Sequence, residues 1–581
     1  MHTHDAPVRF RRFLLPIALL FLASAAMRWQ WRDERSVISN VEASYHVLLT
    51  VEAMDQTPIA EHRFLPIVTL GRSLDRDVAF GSSVRGPNGV YYYTSFPPLG
   101  FVAPWAFFRV THLAPTIGHL MLFNLVIHLV ATILLALLVS ESLAALDVEA
   151  ATHKLVVLLS AGTYLFTFEA LYSHGIVYWH HSLFQVVWLA QLLAFARVLR
   201  ATDAGLPIRR RDAALLLATG VIGPATEWTG YIANACLAGL CWWQSRTVAR
   251  TSMRRLCLGL LAGAALAGIA FVGHFAWVIG VDPLIEALRA RADARSTTHG
   301  TWMPLAKGYV ESFGALLVFA AALFGAFLLA EGRRPSRRWI SMLILAALLP
   351  LSENLLLAQH ASTYHFDRLK ALIVLVALFS VLIALMPGAW QRPALFSWIF
   401  VLGWNFSHLK RTRTIGLFPP LATNEVLMKR VKSVARPCAL YATDGFPRGW
   451  AELTLGGNIY EDVPNVDSLR ALVASRHACQ GLYFTVARDP GEAMFVWRRA
   501  TIYDPASNRV DTLEWSPPRR LHPVAPSSVS TSEGSTNSIT TAAHPSAPAA
   551  LPARPDSRAR VTDAVISAAR MTDADAPVRT V

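Results

Sequence analysis

Long uninterrupted apolar runs, separated by short loops rich in arginine, limit what this chain can become more than any other feature. A helix of roughly 20 apolar residues crosses a bilayer core about 30 Å thick, and a run without a polar stripe has no face to turn to water. The pattern predicts a mostly α, polytopic membrane bundle. A first span is expected over Phe13–Met27. Later ones are expected near Ile117–Val139, Leu155–Ala170, His181–Leu199, Ala213–Trp228, Ile232–Trp243, Leu256–Gly280, Tyr309–Ala330, Trp339–Leu357, Leu369–Met386 and Ala394–His408, about eleven in all. Only 16% of the 581 residues are charged, which excludes an ordinary soluble globular protein.

Charge placement sets the expected orientation. The sequence carries 53 Lys and Arg against 39 Asp and Glu, a net +14. Arg9, Arg11 and Arg12 precede the first run and favour a cytoplasmic N-terminus over residues 1–12. The short apolar segment Pro98–Leu113 is read as a juxtamembrane or re-entrant helix, because counting it as a span would move Arg209–Arg211, Arg254–Arg255 and Arg333–Arg338 outside. The membrane domain then covers residues 13–408 with a large outer loop over 29–97. The segments 173–180, 282–308 and 354–368 share that outer face.

Past His408 the chain turns polar. Strands are expected at Cys438–Thr443, Gly481–Ala487 and Met494–Arg498 around a helix at Ser468–Ser475, so residues 409–507 form a small extracytoplasmic α/β domain. The stretch 508–581, rich in Ser, Thr, Pro and Ala, reads as a disordered tail. Cys438 and Cys479 are the one cysteine pair in the outer domain and form either a disulfide or two buried thiols. Ala23-Ser24-Ala25 also fits a signal-cleavage site.

The first outer loop is acidic and holds two local patterns. Glu42-Ala43-Ser44-Tyr45 is followed by Val51-Glu52-Ala53-Met54, and Tyr91-Tyr92-Tyr93-Thr94-Ser95-Phe96-Pro97-Pro98-Leu99 closes the loop. These residues resemble the GT-C glycosyltransferases, the superfamily of the protein mannosyltransferases and the aminoarabinose transferases of lipid A. There, a D-E-A-x-Y-like motif opens the loop and a K-P-P-L-like motif closes it. Val41 stands at the place of the first acid and Phe96 at the place of the lysine. The resemblance implies transfer of a sugar from a polyprenyl-phosphate-type lipid donor to a lipid, glycan or protein acceptor at the outer face of a bacterial inner membrane. It puts Tyr45, Tyr93, Pro97 and Pro98 at the substrate.

Such a reaction needs one base and some positive charge, since phosphate leaves as a stable anion. Glu42 is the first candidate base, with Asp75 and Asp77 as second candidates, acting on the acceptor or holding a divalent metal. His360, Tyr364 and Arg368 lie at the outer mouth of a span, where Arg offers a two-pronged grip on phosphate. His174 and Glu227 complete the expected lining, Glu227 because a carboxylate at a span end is costly unless it faces a polar cleft. No P-loop, dinucleotide fingerprint or zinc spacing is present, so neither a nucleotide cofactor nor a nucleic-acid partner is expected. A lipid or sugar transporter and a non-catalytic membrane scaffold are the rival classes, the first weakened by the lack of internal repeats.

Overall fold

The computed structural model describes residues 6–29, 32, 41–81, 83–146, 148–246, 250–295, 302–330, 338–412, 419–445, 449–487 and 496–514. Seven described helices are long and apolar enough to cross a membrane, and a pair bent by 57°, Ala150–Phe166 with Phe168–Ile176, makes eight if it is one span. Leu19, Leu22, Ile269, Val318, Leu329 and Phe396 stand exposed on the outside of the bundle, while Leu135, Trp188, Phe313, Phe379 and Trp398 fill its inside. Apolar surface on both sides of a helix is stable only where lipid replaces water. The chain is a multi-pass membrane protein.

The segment Leu99–Thr111 is a helix of 13 residues. At 1.5 Å per residue it reaches about 20 Å, too short for the bilayer core. The region expected as two short spans forms Arg210–Thr226 and Thr229–Gln244, broken at Glu227 and Trp228. At one end of the bundle Glu141 pairs with Arg197 at 2.6 Å and Arg197 lies 3.7 Å from Asp212. The opposite ends of the same helices meet the loops that carry the polar residues discussed below.

The C-terminal part forms a five-stranded sheet. Its strands pair in the order Ile459–Tyr460 (β4), Ala439–Thr443 (β3), Gln480–Ala487 (β5), Val496–Asp504 (β6) and Arg509–Glu514 (β7). The first loop adds the short hairpin Val84–Arg85 (β1) with Tyr91–Tyr92 (β2). Strand β3 runs parallel to β4 and β5, whereas β6 and β7 are antiparallel. The helix Val466–Ser475 starts where the Asn465 side chain accepts from the Ser468 N–H, and it covers the sheet with Leu469 and Val473. Cys438 and Cys479 are joined by a disulfide, with Cα atoms 5.5 Å apart. Strand β7 corrects one expectation: the ordered unit continues past residue 507, because alternation resumes at Arg509-Val510-Asp511-Thr512-Leu513 after a turn with Asn508 at φ 52°. Residues 515–581 of the expected tail lie outside the described residues, as do Asp33 and Glu34 of the loop and Arg333, Arg334 and Arg337 of the arginine run.

Candidate active site at the helix ends

Four breaks in the helical ladder converge at one end of the bundle. His180 and His181 open the helix His180–Asp203; Glu227 sits between Arg210–Thr226 and Thr229–Gln244. Glu353 and His360 come from the short helices Glu353–Leu356 and Ala358–Thr363, and Asp367 and Lys370 from the start of the run His365–Leu385. Such breaks leave backbone polar groups unpaired, which is tolerated at membrane depth only inside protein or beside a cavity.

The side chains form a buried charged network. His181 Nδ1 lies 3.5 Å from Glu227 Oε2, and its Nε2 lies 3.1 Å from Asp367 Oδ1. The other Asp367 oxygen is 3.0 Å from His360 Nδ1. Lys370 Nζ sits 3.3 Å from Asp367 and donates to Glu353, which also accepts from the Thr229 hydroxyl. Glu227 accepts from the Thr229 N–H at 3.1 Å. His181, His360 and Asp367 each offer a ligand atom within 4.8 Å of the others, so among the described residues they are the group able to hold a metal ion.

Aromatic rings and arginines stand next to this network. The Arg295 guanidinium lies 4.7 Å from the centre of the Phe96 ring, and Phe96 in turn packs on Trp179, His180 and His360. Arg291, one helical turn earlier, feels the fields of Tyr93, Tyr364 and Arg295. His46 lies 4.3 Å from the Tyr93 ring and is held neutral, its pKa pushed down to about 3 by burial and then by Arg291.

The structure separates the residues singled out from sequence. Glu227, His360 and Tyr364 belong to the helix-end site, with Tyr364 4.6 Å from the His360 ring, and Tyr93 borders it. Pro97 and Pro98 lead into the helix Leu99–Thr111, where the Pro98 carbonyl accepts from the N–H groups of Phe101 and Val102. Arg368 is buried and turned elsewhere. It donates to Ser312 Oγ at 2.9 Å and to the carbonyls of Ala361 and Ser362, and lies 3.0 Å from His365. Those bonds fasten the loop. His174 packs against His128 at 4.4 Å beneath Arg28, and Gly175 beside it lets the Arg28 guanidinium pass where a Cβ would collide.

The three candidate acids of the first loop, Glu42, Asp75 and Asp77, face the C-terminal unit. Glu42 accepts from the Gly449 N–H at 2.7 Å, at the start of the helix Gly449–Leu455, and Tyr45 lies close to the same glycine. Asp75 is fully buried, paired with Arg72 at 2.6 Å and accepting from the Asn458 N–H at 2.9 Å. Asp77, at φ 68°, bridges Arg85 and Arg476, and the Arg476 hydrogen bond holds its carboxyl below the usual range. Sequence reasoning pointed to Lys370 only as the lysine of the cation cluster 359–370 and did not single out Glu353 or Asp367 for a role. The available signal was a charged residue at the edge of an apolar run, as for Glu227.

No family model and no curated protein matches the sequence. Solved structures do match. The structure of ArnT from Cupriavidus metallidurans bound to undecaprenyl phosphate is 11% identical, aligns over 81% of this chain and 93% of that one, and gives a TM-score of 0.51. The archaeal oligosaccharyltransferase AglB from Archaeoglobus fulgidus, in complex with an inhibitory peptide and a dolichol-phosphate, is also 11% identical. It aligns over 81% of this chain and 69% of that one, again with a TM-score of 0.51. The chain shares the fold of these two structures. At this identity the likeness shows the fold alone, while the chemistry has to be argued from this chain's own side chains.

Proposed function

We propose that the protein transfers a sugar from a polyprenyl-phosphate-type lipid donor to an acceptor, using the helix-end site as its reaction centre. The observation that supports this most is the buried set Glu227, Glu353 and Asp367 around Lys370. Charges are rarely retained at membrane depth without a task, and this set lies beside Arg291 and Arg295 in a fold whose solved examples hold lipid phosphates. In this reading Arg291, Arg295 and Lys370 stabilise the leaving phosphate, and a carboxylate of the set takes the acceptor proton. Arg295 on Phe96 brings a cation to the turn where the family's Pro-Pro motif has a lysine. Tyr93, Tyr364 and Trp179 offer ring faces for the sugar or the isoprenoid. The network and the C-terminal unit face the outside of the membrane, the N-terminus and Arg209–Arg211 face the cytoplasm, and the chain crosses about eleven times.

The test is transfer by the purified protein in nanodiscs, with polyprenyl-phosphate-linked sugars as donors and envelope extracts as acceptors. Loss of donor with release of polyprenyl phosphate is the expected result. Movement of the lipid donor between leaflets without cleavage would make the protein a transporter, and neither cleavage nor binding would leave a scaffold. Tags at positions 210 and 450 should report cytoplasmic and external faces respectively.

A further inference from the structure

We infer that His181, His360 and Asp367 bind a divalent transition-metal ion, with Glu227 orienting His181 behind it. Two features of the network argue for an ion. The first is charge. Glu227, Glu353 and Asp367 are each buried to within 2% of full burial, against a single buried ammonium at Lys370. With His181 and His360 neutral, as metal ligands must be, three carboxylates facing one ammonium leave two negative charges in a water-poor site, and uncompensated buried charge is among the most costly arrangements a protein can hold. Lys370 does not remove the excess at Asp367, because its ammonium also donates to Glu353 and to the Thr229 hydroxyl. The nearby Arg368 is spent on Ser312, Ala361, Ser362 and His365. A divalent cation beside Asp367 balances the two charges.

The second feature is geometry. His181 Nε2 comes within 3.1 Å of Asp367 Oδ1, yet it is sealed from solvent and makes no aligned hydrogen bond. With a ligand atom of His360 they lie within 4.8 Å of one another, a spacing that the ligands of one ion can take. Behind the ring, Glu227 Oε2 faces His181 Nδ1 at 3.5 Å. That is the carboxylate–histidine–metal order, in which the rear carboxylate fixes the tautomer and turns the lone pair of Nε2 forward. His360 enters from the other side through Nδ1, 3.0 Å from Asp367 Oδ2. Two imidazoles and one carboxylate suit zinc, manganese or iron in preference to magnesium or calcium, and three protein ligands leave a position for an oxygen of phosphate or water.

The site lies in the proposed reaction centre, but its test does not depend on transfer. Full-length protein purified in detergent without chelator or added metal is analysed by inductively coupled plasma mass spectrometry and then stripped and titrated with Co²⁺. The expected result is about one equivalent of a first-row metal, and a visible Co²⁺ band on reloading. His181→Gln and Asp367→Asn should abolish both, and Glu227→Gln should weaken Co²⁺ affinity roughly 10- to 100-fold. The exposed carboxylate variant Asp55→Asn should bind as the parent does. The inference is overturned if the parent neither carries metal nor binds Co²⁺, or if binding is unchanged in His181→Gln, Asp367→Asn and the further variant His360→Gln. In the first case His181 is an imidazolium bridging Glu227 and Asp367. Metal-free protein that still transfers sugar sinks the metal and leaves the transfer reading intact. Metal-loaded protein that transfers nothing does the reverse.

Discussion

Two polar assemblies of this molecule use their acids differently. One is the seam between the first loop and the C-terminal unit, where Glu42, Asp75 and Asp77 each meet a donor nearly four hundred residues away. The other is the helix-end network of His181, Glu227, Glu353, His360, Asp367 and Lys370. At the seam each of these three acids faces a fixed donor: a backbone N–H at a helix start for Glu42, a partly buried guanidinium and a backbone N–H for Asp75, and two guanidiniums for Asp77. In the network carboxylates outnumber the cations that face them. Satisfied acids hold a structure together; surplus acids beside a cleft are available for chemistry or for an ion.

The sharpest way to break that contrast is to exchange the consequences. Asp367→Asn or Glu353→Gln should lower transfer by about 10² to 10⁴ while the protein still inserts and purifies normally. Glu42→Gln should leave turnover within a few-fold of the parent. Turnover assays on the three variants side by side decide it, and the reverse ranking would move the reaction centre to the first loop.

At the seam the largest effect expected is on stability. Opening the Cys438–Cys479 disulfide, which closes a loop with a sequence separation of 41, should cost about 4 kcal/mol in the chain-entropy model. Cys479→Ala should therefore melt the C-terminal unit at lower temperature and expose it to protease, with little change in the bundle. Asp75→Asn should come next, at about 3 kcal/mol, because Arg72 then keeps a partly buried charge without its partner. Proteolysis between the bundle and the unit should accelerate in that variant, while metal content stays at the parent value.

These expectations also mark what the sequence carried and what it did not. Apolar runs gave the helices, because lipid imposes one rule on every residue of a span. Alternation and turn residues gave strands β3 and β5 and the helix Val466–Ser475 nearly to their observed ends. The first-loop motif drew attention to Glu42, Asp75 and Asp77, but a motif states order along the chain and says nothing of partners such as Gly449, Asn458 and Arg476. The partners of Arg368 were hidden for the same reason, since its acceptors Ser312 and Ala361 appear only when the chain is folded. Glu227 was readable because a lone carboxylate at a span end has few cheap explanations. Asp367 was hidden inside His365-Phe366-Asp367-Arg368, where neighbouring cations suggest a simple surface ion pair.

Within the seam, Glu42→Gln tests the smaller, capping part of the comparison. A carboxylate at a helix N-terminus both accepts the Gly449 N–H and meets the positive end of the helix dipole, whereas an amide keeps only part of the first contribution. The loss should be about 1 kcal/mol, read as a small fall in the melting temperature of the C-terminal unit. No change would mean that the seam is held by Asp75 and Asp77 alone.

The smallest effect concerns pH and the strand-edge residue Glu461, whose pKa burial, helped by Asp462, pushes up to about 7. The folded unit therefore binds a proton more tightly than the unfolded chain does. Its stabilising contribution is complete below the ordinary carboxylate pKa and is lost as pH rises through about 7. Glu452, buried nearby and also raised by burial, adds in the same direction. Melting of the C-terminal unit should thus fall between pH 5 and pH 8, opposite to the behaviour of Asp77, whose lowered pKa contributes above the ordinary carboxylate range. Glu461→Gln should flatten the upper part of that profile and raise stability at pH 8. If the slope persists unchanged in Glu461→Gln, the proton is taken up elsewhere, and Glu452→Gln is the variant that should remove it.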